Sequence, residues 1–238
     1  MRSFSQLTLA FLFVTVSSSL FAYQPGKWTP MDRYIESDMP GGPTALSVTD
    51  RTGKLVTRAA FSYSPAGRLM KEEYFDAKGT KTGETTYRYA EGKIVEELVL
   101  DAQGKVITTK TFQYNRDGLS AIVIVENNQE VMRITYTYRN AKPIEGMEGL
   151  AGDQNHFSFE YRAEVLEGIE VKNTRGESIS HITYRYQNSR LTEREKIQDS
   201  RRSRCQYTYS SEGRLTSFAY SDLQGTEWVL DKTFTFQY

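Results

Sequence analysis

One cysteine, Cys205, is all that the 238-residue chain carries. That excludes an intramolecular disulfide, so packing and hydrogen bonding must hold the fold together. Cys205 immediately precedes a Tyr-x-Tyr stretch and reads as a small buried or edge residue. Histidine is almost as scarce. His156 and His181 have no Cys or His partner at metal-ligand spacing, so a zinc centre finds no support. The Asp-x-x-Gly stretches lack the further acidic ligands of a calcium loop. Gly-x-Ser-x-Gly, a paired His–Glu motif and a Ser–His–Asp arrangement are all missing. The reading is a non-enzymatic protein without a cofactor. Net charge is also missing: Lys plus Arg and Asp plus Glu are each 30, which argues against a dedicated nucleic-acid binder. Proline is sparse at 6, while Tyr (16) and Phe (12) abound, a balance that favours strands over disorder or a helical bundle.

The N-terminus, "MRSFSQLTLAFLFVTVSSSLFAYQ", holds an apolar run from Leu7 to Val16 followed by small residues. Such a run is too short to span a bilayer and reads as a secretory signal over 1–22, cut after Ala22, with a retained anchor as the alternative. Residues 23–45 have no periodicity and read as an irregular cap that protects an edge strand. Residues 46–238 form the repeat domain.

The repeat is an aromatic-x-aromatic pair. It occurs at Phe61 and Tyr63, Tyr87 and Tyr89, Phe112 and Tyr114, Tyr136 and Tyr138, Phe159 and Tyr161, Tyr184 and Tyr186, Tyr207 and Tyr209, and Phe234 and Phe236. The steps are 26, 25, 24, 23, 25, 23 and 27 residues, which calls for one supersecondary unit per copy. A Gly-containing turn and an aliphatic residue follow the pair, as in Gly67 with Leu69, Gly92 with Ile94 and Gly213 with Leu215. A second turn, Asp-x-x-Gly, follows at 76–79, 101–104 and 222–225, with a leading half-copy at 50–53 and an Asn variant at 173–176. Residues two apart in a strand share a face, so each pair places two rings on one side of a sheet. Two reversals in about 25 residues leave two strands of seven to nine residues. The expected fold is all-β: an antiparallel meander of about seven hairpins forming a long curved or rolled sheet. Because the rings recur at every step, they read as a structural ladder ahead of a ligand-binding one.

"YTYSSEGRLTSFAYSDLQG", "FSYSPAGRLMKEEYFDAKG" and "YRYAEGKIVEELVLDAQG" resemble the YD repeats of bacterial RHS-type proteins, with their Tyr-x-Tyr-Asp-x-x-Gly-Arg-Leu consensus. The Asp after the second Tyr is replaced here by Ser64, Ala90, Asn115 and Ser210. The resemblance implies β-hairpin architecture and a surface or export context. Large RHS proteins use such repeats as a shell around a toxin domain, and there are too few copies here to enclose one.

Two stretches break the pattern. "RNAKPIEGMEGLAGDQN", 139–155, places Pro143, Gly146, Gly149 and Gly152 where a second strand belongs, and reads as a loop joining two halves of the array or as a lid or partner-contact loop. "RLTEREKIQDSRRSRC" gathers Arg190, Arg194, Lys196, Arg201, Arg202 and Arg204. It is a solvated charged face, or a surface for an anionic partner such as cell-wall polymer or lipid headgroups. The combined expectation is an exported scaffold or interaction module, periplasmic or at the cell surface, with an unknown envelope protein or polymer as partner. The alternative is an integral outer-membrane barrel, suggested by the alternation Phe234, Phe236, Tyr238 in "KTFTFQY". Membrane insertion belongs to that alternative alone.

Overall fold

The structure, a computed structural model, describes residues 42–238 except 151 and 164. The expected signal and residues 23–41 of the expected cap lie outside the described residues. Sixteen strands follow one another: β1 Ala45–Asp50, β2 Leu55–Tyr63, β3 Leu69–Asp76, β4 Lys81–Ala90, β5 Lys93–Asp101, β6 Val106–Tyr114, β7 Leu119–Glu126, β8 Gln129–Arg139, β9 Lys142–Leu150, β10 Asp153–Arg162, β11 Val165–Lys172, β12 Ser178–Gln187, β13 Arg190–Gln198, β14 Arg201–Tyr209, β15 Leu215–Gln224 and β16 Glu227–Gln237. Each pairs antiparallel with the next, and β1 pairs with β16 from Ala45↔Gln237 to Asp50↔Lys232. The all-β meander is as expected. The open curved sheet is corrected: it closes into a barrel, which removes both unpaired edges.

The aromatic pairs point inward. Tyr87, Phe112, Phe159, Tyr184, Tyr207 and Phe236 are all at most 8% exposed. One apolar cluster joins Leu46 on β1, Ile134 on β8, Phe157 on β10 and Phe218 on β15. Burying a side chain of this size stabilises by about 1.5–3 kcal/mol. Phe218 and Phe234 stack at 4.2 Å between ring centres.

The second tyrosine of each pair explains the rest of the repeat. In five of the eight copies its hydroxyl donates to a main-chain carbonyl of the preceding hairpin: Tyr63 to Pro43 at 2.8 Å, Tyr89 to Leu69 at 2.8 Å, Tyr161 to Pro143, Tyr209 to Leu191 and Tyr238 to Leu215, each at 2.9 Å. The Tyr238 bond resets the eighth pair, which is Phe236 with Tyr238 and not Phe234 with Phe236. The Tyr63 bond identifies β1 as the missing second strand of that eighth copy, so a repeat split between the two ends of the sequence closes the ring.

The turns follow the sequence closely. Gly67, Gly92, Gly104 and Gly213 have φ of +81°, +81°, +81° and +89°, the left-handed region where a side chain is strained. Asp76 Oδ1 accepts the backbone N–H groups of Lys78 and Thr80, and Asn173 does the same for Arg175 and Glu177. Ser64 and Ser210, standing where the repeat consensus has Asp, accept from the N–H groups of Arg68 and Arg214.

Two local readings are corrected. Asp222 to Gly225 is not such a turn: Asp222 lies in β15, accepts the Tyr220 hydroxyl at 3.1 Å, and the chain reverses between Gln224 and Glu227. Residues 139–155 are not a loop, because β9 occupies 142–150. Gly146 has a packing reason there, since a Cβ would stand 2.0 Å from the Thr135 carbonyl and 2.1 Å from the Phe157 ring. Pro143, which has no N–H to give, sits where the β8–β9 register shifts.

Candidate functional site

Barrel closure creates three chemically distinct surfaces: an outer face, a buried polar strip, and a rim of tyrosines and cations at one end. On the rim, the residue just before four of the five carbonyl acceptors places its cation over the tyrosine ring that docks there; before Pro43 stands Gly42, which has none. Arg68 lies 5.8 Å from the Tyr89 centre, Lys142 5.4 Å from Tyr161, Arg190 5.8 Å from Tyr209 and Arg214 5.2 Å from Tyr238, and Lys93 stands 5.1 Å from Tyr114. The Gly-Arg-Leu signature thus has a division of labour: Gly reverses the chain, Arg covers a ring, and Leu supplies the carbonyl and an inward side chain. Burial pushes the Tyr161 phenol up to about 12 and the Tyr114 phenol higher, so both remain neutral.

The buried strip crosses β3 to β6. Glu72, 1% exposed, accepts from the Tyr87 hydroxyl at 2.6 Å and the Tyr74 hydroxyl at 2.9 Å, and Tyr74 also contacts the Thr85 hydroxyl at 3.0 Å. Lys110 meets Glu97 Oε1 at 2.9 Å, with both side chains at most 5% exposed. The other Glu97 oxygen is buried with no hydrogen-bond partner. Further round, Arg194 stands 3.5 Å from the Cys205 sulfur. Burial raises the Glu148 carboxyl, although an Asn155 bond and the Lys196 charge oppose it. Burial, then Arg194, lowers Lys196. Sequence reasoning singled out none of Glu72, Glu97, Lys110 or Glu148. A signal existed for Lys110, which stands two residues before the inward Phe112.

The outer face carries ion pairs round much of the circumference. Lys81 bridges Glu73 and Glu84 at 2.9 and 2.6 Å, Arg88 meets Glu96 at 3.2 Å and Arg133 meets Glu130 at 2.8 Å. His181 lies 3.3 Å from Glu160. Hydrogen bonds to Lys81 and Lys71 hold the Glu73 carboxyl below the usual range. On β12 to β16, Arg185, Glu193, Glu195, Arg202 and Arg204 form a network, and Arg204 sits 4.5 Å above the Trp228 ring.

The six basic residues singled out in the sequence therefore do not share one surface. Arg190 stands on the rim, Arg194 and Lys196 point inward, Arg201 is exposed at the β13–β14 turn, and Arg202 and Arg204 lie outside against Glu195, Glu193 and Trp228. Among the described residues, no group of three or more His, Cys, Asp or Glu side chains could hold a metal.

No protein-family model matches the chain, and no curated protein matches it in sequence. Among solved structures, a porin-like protein from Bacteroides uniformis aligns with 82% of this chain and 96% of its own, at 14% identity and a TM-score of 0.40. A porin-like protein from Bacteroides vulgatus aligns with 83% of this chain and 99% of its own, at 11% identity and a TM-score of 0.36. The TcdB2-TccC3-TEV structure aligns with 79% of this chain, which spans only 15% of that one, at 15% identity and a TM-score of 0.31. At such scores these likenesses carry no argument about function.

Proposed function

We propose that this protein is a water-immersed β-barrel of the bacterial envelope that serves as a non-enzymatic scaffold or interaction module, built from YD-type repeats. The outer face carries the reading. Arg88, Arg133, Arg185 and Arg204 project outward from strands, paired with carboxylates. A basic side chain facing hydrocarbon at mid-bilayer costs about 2–4 kcal/mol, and a membrane barrel needs a continuous apolar band about 25 Å tall outside. Ile107, Val131, Met147, Ile197 and Leu230 are exposed as well, but the ion pairs interrupt the apolar face they could form, which supports a barrel surrounded by water.

A second reading, an integral outer-membrane barrel, is favoured by closure itself: sixteen antiparallel strands with no free edge, the even count of bacterial membrane barrels. The alternation that suggested it points inward here, with Phe234 on Phe218 and Tyr238 bonded to Leu215. Expression of the full chain in a Gram-negative host, followed by envelope fractionation and carbonate extraction, separates the two. Recovery without detergent and without heat-modifiable migration is expected. Retention in the outer membrane through carbonate, as a heat-modifiable species, would establish the second reading instead.

A further inference from the structure

We infer that the tyrosine rim is a docking face for the surface of an anionic phospholipid bilayer, an inference that rests on the barrel being immersed in water. The seven turns that follow the aromatic pairs all lie at this end, because alternate connections of an antiparallel meander share one end of the barrel. Counted from the last residue of one strand to the first of the next, these turns carry eight basic residues against four acidic ones, while the eight turns at the other end carry eight of each. A chain with no net charge is therefore polarised along the barrel axis.

Three features suit a flat anionic surface. The cations come in two sets: five held over tyrosine rings, which lose little further freedom on binding, and Arg116, Arg139 and Arg162, exposed at the turns, with Arg116 3.6 Å from Asp117 and Arg162 3.0 Å from Glu167 in solvent-exposed pairs that a phosphate can displace. Pro65, Val165 and Tyr238 are exposed among them, the mixture of apolar tips and cations that sits at headgroup level. The cations are spread round a rim. Spread in that way over seven turns, they can meet a planar array of phosphates at several points at once.

The test is co-sedimentation of the protein, as purified without detergent, with vesicles of phosphatidylglycerol and phosphatidylcholine or of phosphatidylcholine alone. Binding to the anionic vesicles only, reversed by about 0.5 M salt, is expected, since exposed charges are screened within about 3 Å at 1 M. The triple variant Arg116→Gln, Arg139→Gln, Arg162→Gln spares the cations over the rings and should bind on the order of 100-fold more weakly, about five-fold per charge removed. The variant Arg51→Gln, Lys78→Gln, Lys105→Gln changes net charge equally at the opposite end and should bind like the parent. Equal losses in both variants would mean bulk charge and overturn the docking face. So would absent binding, equal binding to uncharged vesicles, or binding to dextran sulfate but not to vesicles. A detergent-free protein that ignores anionic vesicles refutes the rim and leaves the water-immersed barrel standing. Retention of the protein in the outer membrane through carbonate refutes both.

Discussion

Replacing Lys110 by Met leaves the Glu97 carboxylate inside the barrel without its ammonium partner. The two groups are 2.9 Å apart and their side chains are 5% and 3% exposed, so water cannot replace what is lost. One Glu97 oxygen already lacks a hydrogen-bond partner, and the substitution strips the other of its Lys110 contact. Removing one member of a buried pair costs about 3–5 kcal/mol, most of it from the abandoned charge. Replacing both should be far milder: Glu97→Leu with Lys110→Met is expected within about 1 kcal/mol of the parent, because the desolvation cost of both ions disappears with their attraction. Arg133→Met is the control, since its pair with Glu130 is 38% and 35% exposed and should contribute under about 0.5 kcal/mol. Urea denaturation followed by far-ultraviolet circular dichroism, with an unchanged slope, reads all three. A Lys110→Met cost no larger than that of Arg133→Met would refute the buried-pair argument, as would a double variant worse than the single.

Gly146→Ala places a methyl 2.1 Å from the ring of Phe157, which is 0% exposed and has nowhere to move, so a loss of about 3 kcal/mol in the same assay is expected; a neutral result would mean that the ring does not cover this glycine. For Glu148, burial raises the folded carboxyl above its ordinary range, so the folded chain keeps a proton that the unfolded chain releases. Stability from this group is present at low pH and lost as pH rises through the raised value. Glu148→Gln should therefore increase the urea midpoint at neutral pH and match the parent below about pH 4, where both states are protonated; a pH-independent difference would contradict a buried carboxyl.

Much of the fold was legible because each clue was local. The aromatic alternation specifies strands, and glycine at positive φ specifies turns. The Arg and Leu after Gly67 and Gly213 keep one offset because Tyr89 and Tyr238 dock on Leu69 and Leu215 by the same bond. Residues 139–155 misled because a glycine opposite a large ring and a proline at a bulge look like loop residues when the ring that needs the space, Phe157, is in another strand.

Sequence alone determined the repeat, the hairpins and the single ringed face. Closure depended on the tertiary structure, since only the meeting of β1 with β16 completes the eighth copy. So did the sides on which the charges lie. Alternation from the inward Leu191 would send Glu193 and Glu195 into the barrel, yet Arg194 and Lys196 are inside. The reason is a register shift just before the second tyrosine in each of the seven hairpins that join a repeat's own two strands; in the sixth, Tyr186 pairs with Leu191 and Arg185 with Glu193, leaving Thr192 over. One extra residue reverses the parity of everything that follows, and the hydrogen-bond ladder between strands, which fixes its position, has no trace in either strand taken by itself.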